Sequence, residues 1–187
     1  MWESFPKLID SFQLRAKSYF RGDFISIYKK ILSKTKLPII INDYWEIAIE
    51  LKAYGFHVGK EDFASLSDSD KNKIKQAQMI KGTSSHSLED LQNLDPEIWT
   101  YTGLGPIFQT GTKKSSYSPL GTGIIREALE KFKIPIVPIG GINSVNFWSV
   151  AYIRECKPAS ISLFSDEILF PILAKEYEKK LFLTENF

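Results

Sequence analysis

Cysteine is almost missing from this chain: Cys156 is the only one in 187 residues. That excludes an internal disulfide. It sits in Arg-Glu-Cys-Lys-Pro near a predicted helix end, where nothing marks a nucleophile, and it reads as structural. Histidine is scarce too, with His57 and His86 alone, and no Ser/His/Asp arrangement can be read. There is no signal peptide and no apolar run of transmembrane length, so the expectation is a protein of the reducing cytoplasm with no membrane partner. Excess charge is also lacking. The net charge is +2, too mild to imply nucleic acid, so any positive site must be local. No low-complexity segment or linker interrupts the chain, which predicts one domain over 1–187.

What is present is a regular alternation of short apolar strands with helices. It runs from Phe12 onward and predicts βα units with a parallel sheet. The stretch from Tyr101 to Lys114 organises it: a buried strand runs into Thr110-Gly-Thr-Lys-Lys114. That loop offers hydroxyls, backbone N–H groups and ammonium charges to an anion, although a solvated turn would look the same. Ser11 to Lys17 alternates with period two and sets Gln13, Arg15 and Lys17 on one face. Further strands are predicted over Leu37–Ile41, Phe56–Gly59, Met79–His86, Trp99–Phe108, Ile134–Ile139 and Ala159–Phe164. Helices are predicted over Met1–Asp10, Asp23–Lys34, Tyr44–Tyr54, Leu66–Gln78, Gly121–Phe132, Asn143–Cys156 and Ile168–Leu183, with Ser87 capping another that opens at Ser87–Asp90.

Polar residues gather where strands end: Asn42-Asp43, Lys60–Asp62, Ser84–His86, Thr110–Lys113, Gly140-Gly141 and Ser165. Clustering at many strand ends is how a (β/α)₈ barrel builds its site, whereas an open doubly wound sheet gathers its ligand at one switch point. Asp43 and Asp62 follow consecutive strands and offer the hard oxygen ligands that Mg²⁺ takes beside a phosphate. Both also precede helices, where a carboxylate serves equally as a cap. Arg15, Lys17 and Lys113 supply opposing charge, a clamp for a departing anion. Gly140-Gly141 and Phe164-Ser165 end the last two strands, where barrels commonly hold a phosphate on backbone N–H groups. Two facing anion sites suggest a transferase that joins two phosphorylated small molecules.

With these residues in view, the chain resembles the thiamine phosphate synthase family, a group that also contains the TenI-type thiazole tautomerases. The resemblance rests on Gln13-Leu-Arg-Ala-Lys17, Ile41-Asn-Asp43, His57-Val-Gly-Lys-Glu-Asp62, Gly82-Thr-Ser-Ser-His-Ser87, Gly105-Pro-Ile-Phe-Gln-Thr-Gly-Thr-Lys113, Ile139-Gly-Gly-Ile142 and Ile161-Ser-Leu-Phe-Ser165. It implies a TIM barrel, here without the family's first strand, that joins an aminomethylpyrimidine diphosphate to a thiazole phosphate. By the same resemblance Gln13, Arg15, Lys17, Asn42, Ser84 and Lys113 hold the pyrimidine diphosphate, and Asp43 and Asp62 hold Mg²⁺. Thr110, Thr112, Gly141, Phe164 and Ser165 hold the thiazole phosphate. Lys60 stands where the family commonly has glutamine. The alternatives are a thiazole tautomerase using His86 as acid and base, and an inactive phosphate-binding homologue. The oligomeric state stays open.

Overall fold

Six strands pair into one wholly parallel sheet whose spatial order, β1-β2-β3-β4-β5-β6, repeats their order along the chain. The computed structural model describes residues 8–111, 117–153 and 156–184. The elements are β1 (Phe12–Leu14), α1 (Arg21–Leu32), β2 (Ile39–Asn42), α2 (Trp45–Glu50), β3 (Gly55–Val58), α3 (Lys60–Ala64), α4 (Asp68–Gln76), β4 (Ile80–Ser85), α5 (Leu88–Gln92), β5 (Tyr101–Leu104), α6 (Gly123–Lys131), β6 (Ile136–Pro138), α7 (Phe147–Ala151) and α8 (Leu169–Thr184). Sequential order without a reversal is the winding of a curled, barrel-like sheet and not of a doubly wound one.

Side chains alternate across this sheet with period two. On the helix-facing side Ile39, Ile41, Phe56 and Val58 are at most 2% exposed. They pack with Phe24 and Tyr28 of α1, Trp45 and Ile47 of α2 and Ile74 of α4. Burying each such side chain is worth about 2 kcal/mol. A second core joins Leu104 and Ile136 to Ile125 and Ala128 of α6, Val150 of α7 and Phe170 and Leu173 of α8, with Cys156 buried in it. Three buried residues that carry hydroxyls, Thr83, Ser85 and Thr102, lie on the same side of the sheet. The Ser85 and Thr102 hydroxyls are 2.9 Å apart, and Thr102 Oγ1 donates to the Thr83 carbonyl at 3.2 Å. Lys81 is buried as well; burial pushes its pKa down, and its ammonium donates to the Lys75 carbonyl in the last turn of α4.

The opposite alternation serves the site. Asn42, His57, Gly82 and Tyr101 are successive partners across β2, β3, β4 and β5, so they form one row of the inner face. Glycine at 82 makes room: a Cβ there would lie 2.2 Å from Cζ of Tyr101. The row is therefore built around that ring.

Several sequence expectations are corrected. The strand expected over Ala159–Phe164 reduces to one bridge, Ile139 with Ala159. Ser160 is the reason: its hydroxyl donates to the Ile142 carbonyl and accepts the Leu163 N–H at 3.0 Å, turning the chain instead of extending it. Of the seven strands expected, six pair into the sheet among the described residues. The helix expected from Asn143 shrinks to Phe147–Ala151, because Asn143 Oδ1 holds the amides of Val145 and Asn146 in a turn. Lys60–Ala64, read as part of a loop, is a short helix, and the next helix starts at Asp68 behind a Ser67 cap. The Ser87 cap is present, with Oγ accepting from the Asp90 amide. Most of the expected helix Met1–Asp10 lies outside the described residues.

Candidate active site

The C-terminal ends of the strands enclose a cavity of about 230 Å³. Gln13, Arg15, Asn42, Ser84, Thr110 and Gly141 line it, all six from the set expected of the sequence. His57, His86 and Tyr101 line it too. Its floor is a hydrogen-bonded set of polar groups. His57 Nε2 lies 3.0 Å from Ser84 Oγ, and His57 Nδ1 lies 3.2 Å from the Tyr101 hydroxyl. Gln13 Nε2 donates to that hydroxyl at 3.4 Å. Burial pushes the Tyr101 phenol above its ordinary pKa, so it stays protonated. Asn42 is 6% exposed, and its side-chain Nδ2 has no hydrogen-bond partner within the protein. A buried amide left unpaired in this way is costly unless a ligand or water accepts from it.

Beside the cavity lies a charged cleft of about 240 Å³. The consecutive residues Asn42 and Asp43 face one space each. Asp43 adopts φ 69°, a left-handed conformation that aspartate tolerates better than most residues. Lys17 Nζ lies 3.1 Å from Asp43 Oδ2 and 3.8 Å from Asp62 Oδ2. One ammonium thus draws both carboxylates together. Neither acid occupies the cap of the helix it precedes or opens: the N-caps of α2 and α3 are Tyr44 and Gly59, and neither makes a side-chain capping bond. Asp43 Oδ2 is buried and makes no aligned hydrogen bond, only the ion-pair approach of Lys17.

That orphaned oxygen decides how well a cation suits the cleft. Among the described residues no three His, Cys, Asp or Glu side chains gather into a ready cage. Two carboxylates alone suit a hard ion that fills its remaining positions with substrate oxygen and water, as Mg²⁺ does.

The rim carries a third group. Tyr117 donates to Glu61 Oε1 at 2.6 Å and stacks on His86, the ring centroids 3.8 Å apart. This hydrogen bond holds the Glu61 carboxyl below its usual pKa and raises that of Tyr117. His86 Nδ1 lies 2.5 Å from the Gly105 carbonyl, to which it donates, and the His86 amide donates to Asp90 Oδ2. Lys60 pairs with the same carboxyl at 2.5 Å. Burial alone would raise the Asp90 pKa, but the Lys60 ammonium and the His86 amide outweigh it and hold it low.

The remaining expected residues divide. Lys17 stands in the cleft with the two acids, not in the cavity. Gly141 has φ 68°, and a Cβ there would lie 2.4 Å from the Gln109 carbonyl, so only glycine brings this backbone so near the Phe108–Gln109 turn. Phe164 and Ser165 do not line the cavity. The Phe164 ring packs on Phe170, and the Ser165 hydroxyl bonds back to Ile161, while Ser160, Ile161 and Ser162 occupy that edge. Thr112 and Lys113 lie outside the described residues. The sequence does not single out Tyr101, His57 as a cavity group, or the pairing of Glu61 with Tyr117 beside His86. The available signal was Gly82 directly across from an aromatic residue on the next strand.

The profile of a family described as thiamine monophosphate synthase matches residues 3–165. The chain belongs to that family. Among its thiamine-phosphate synthase relatives, that of Halalkalibacterium halodurans is 32% identical over 74% of this chain and 65% of its own length. That of Shouchella clausii is 34% identical over 78% and 70% respectively. That of Clostridium tetani is 34% identical over 90% of this chain and 76% of its own length. The chain thus spans about two thirds of the first two relatives. Two solved structures share the fold. A thiamine phosphate pyrophosphorylase from Pyrococcus furiosus matches with TM-score 0.69 at 22% identity, covering 90% of this chain and 84% of that one. One from Bacteroides thetaiotaomicron matches with TM-score 0.54 at 18% identity, covering 94% and 84%. Among the described residues of this family member, no helix is long and apolar enough to cross a membrane.

Proposed function

We propose that this protein is a thiamine phosphate synthase. It would condense 4-amino-2-methyl-5-(diphosphooxymethyl)pyrimidine with a thiazole phosphate, releasing diphosphate. The observation that carries the reading is the drawing together of Asp43 and Asp62 on one ammonium, Lys17 Nζ, beside a cavity with a hydrogen-bonded polar floor and Arg15 in its lining. The barrel reading goes with it, the six parallel strands being a segment of a (β/α)₈ barrel.

In this account Gln13, Asn42 and Ser84 hold the aminopyrimidine ring, and Arg15 and Lys17 bind its diphosphate, a role family likeness also gives to Lys113. Asp43 and Asp62 would hold Mg²⁺, which when bound neutralises charge on a departing diphosphate. The bond between the pyrimidine methylene carbon and the diphosphate oxygen breaks, the electron pair leaving with the oxygen. The electron-rich aminopyrimidine bears the resulting cation. The thiazole nitrogen then donates its lone pair to that carbon, so no protein base is needed to activate it. Thr110, Thr112 and the backbone at Gly141 hold the thiazole phosphate, with Phe164 and Ser165 assigned to the same site by family likeness. Arg15 and Lys17 stabilise the leaving charge, and the burial of the cavity floor keeps water from the cation.

Incubating the purified protein with both substrates and Mg²⁺ should yield thiamine phosphate, and EDTA should abolish the yield. Activity undiminished by EDTA would remove the metal from the account, and no product under any condition would remove the activity. A tautomerase reading has one observation in its favour: His86 lines the cavity with Nδ1 committed to the Gly105 carbonyl, which makes Nε2 its basic nitrogen. A tautomerase would turn over thiazole phosphate alone and ignore Asp62→Asn.

A further inference from the structure

The floor of the cavity holds a chain of hydrogen bonds with a direction. Gln13 Nε2 donates to the Tyr101 hydroxyl oxygen. A phenol has a single proton, so with its oxygen accepting there, that proton goes to the other neighbour, His57 Nδ1, 3.2 Å away. Phenols are strong donors and imidazole nitrogens strong acceptors, and the high pKa that burial gives Tyr101 keeps the proton on the phenol. A neutral imidazole that accepts at Nδ1 carries its own proton at Nε2. His57 Nε2 lies 3.0 Å from Ser84 Oγ, so the Ser84 oxygen accepts. The Ser84 hydroxyl proton is then left for the cavity, which Ser84 lines.

We propose that Tyr101 is a positioning residue: acting through His57, it fixes the Ser84 hydroxyl as a hydrogen-bond donor to the bound substrate. This end of the cavity then selects a lone-pair acceptor, such as a ring nitrogen of the aminopyrimidine, over the exocyclic amino group. The substrate half of this statement rests on the synthase reading; the proton arrangement does not. The arrangement is built into the strands, since Gly82 vacates the volume that the Tyr101 ring fills, and a Cβ at Gly103 would lie 3.7 Å from Cε1 of His57.

The reversed chain is the sharp alternative. With the Gln13 amide turned over, Tyr101 would donate to Gln13, His57 would carry its proton at Nδ1, and Ser84 would donate to His57 and present only lone pairs to the ligand. The two chains differ at one atom. The protein has only two histidines, so ¹⁵N-histidine labelling gives two imidazole spin systems, and the one that Tyr101→Phe perturbs belongs to His57. The expected spectrum of the ligand-free protein near neutral pH shows His57 neutral and protonated at Nε2. Protonation at Nδ1, or at both nitrogens, would overturn the proposal. In the kinetic arm, Tyr101→Phe keeps the ring and removes the hydroxyl. KM for the pyrimidine diphosphate should rise about tenfold, the scale of one hydrogen bond, with kcat and the KM for thiazole phosphate little changed. An unchanged KM, or equal losses in every constant, would also overturn it. If the wild-type protein makes no thiamine phosphate, the activity assignment fails while the tautomer result still decides the chain.

Discussion

The cavity and the cleft beside it are lined from the same strand ends, yet they are built in opposite ways. On the cavity floor, Gln13, Tyr101, His57 and Ser84 are already bonded to one another. In the cleft, Asp43, Asp62 and Lys17 are charged, and Asp43 Oδ2 is buried without an aligned donor. A satisfied network is rigid before any ligand arrives, which suits recognition of a flat ring. A charged cluster with an unfilled position is complete only once an ion and an anion enter. The teaching of the pair is a division of labour: ring selection on the cavity floor, charge stabilisation in the cleft and at Arg15 on the cavity wall.

The comparison breaks most visibly at the acids. Asp62→Asn and Asp43→Asn keep size and, at position 43, a residue that tolerates the left-handed backbone. Each should lower kcat/KM by about 100-fold or more in steady-state assays across a Mg²⁺ series, with thermal stability close to wild type. A loss that excess Mg²⁺ restores would mark weakened ion binding; kinetics unaltered in either variant would take that acid out of the cleft.

The cavity floor is struck next by Gly82→Ala. The added methyl overlaps the Tyr101 ring, which must leave. The expected cost is about 1–3 kcal/mol of stability, read by urea denaturation, together with the pyrimidine-selective rise in KM of Tyr101→Phe. Wild-type stability would mean that the ring moves freely and that the floor is not rigid.

A smaller effect is expected at the rim. The Asp90 carboxyl is held below its usual pKa in the folded protein. Its contribution is therefore present above the unfolded value, about 3.9, and is lost as pH falls through the folded one. Asp90→Asn should cost about 1 kcal/mol near neutrality and flatten the acid limb of a stability-versus-pH curve. An unchanged acid limb would contradict the pairing. Smallest of all is Lys60→Gln, which removes a half-exposed partner of that carboxyl and should shift stability by less than about 1 kcal/mol without touching kcat.

The helix-facing side of the sheet was legible because Leu37–Ile41 and Phe56–Gly59 are short apolar runs that alternate with helices, the pattern of βα units. The acids were legible because Asp43 and Asp62 follow strands, and the shape of the cleft then separated them from a capping role. Three features were not. The alternation in Ala-Ser-Ile-Ser-Leu-Phe reads as a strand, but one serine hydroxyl capturing the Leu163 amide outweighs it, and hydroxyl geometry is invisible in composition. Lys17 was grouped with Gln13 and Arg15 by period, yet β1 ends at Leu14 and three residues of non-strand backbone carry the lysine to the cleft. Tyr101 and His57 carry no charge pattern that marks them in the sequence, and their partnership depends on a glycine's missing Cβ across the sheet.

The account turns on whether the cleft is finished by a divalent cation. Mn²⁺ binding can be followed by electron paramagnetic resonance in the presence of inorganic diphosphate, comparing the wild-type chain with the Asp43→Asn/Asp62→Asn double variant. The account predicts one Mn²⁺ held per wild-type chain and none by the variant. Equal binding by both proteins, or none by either, would contradict it.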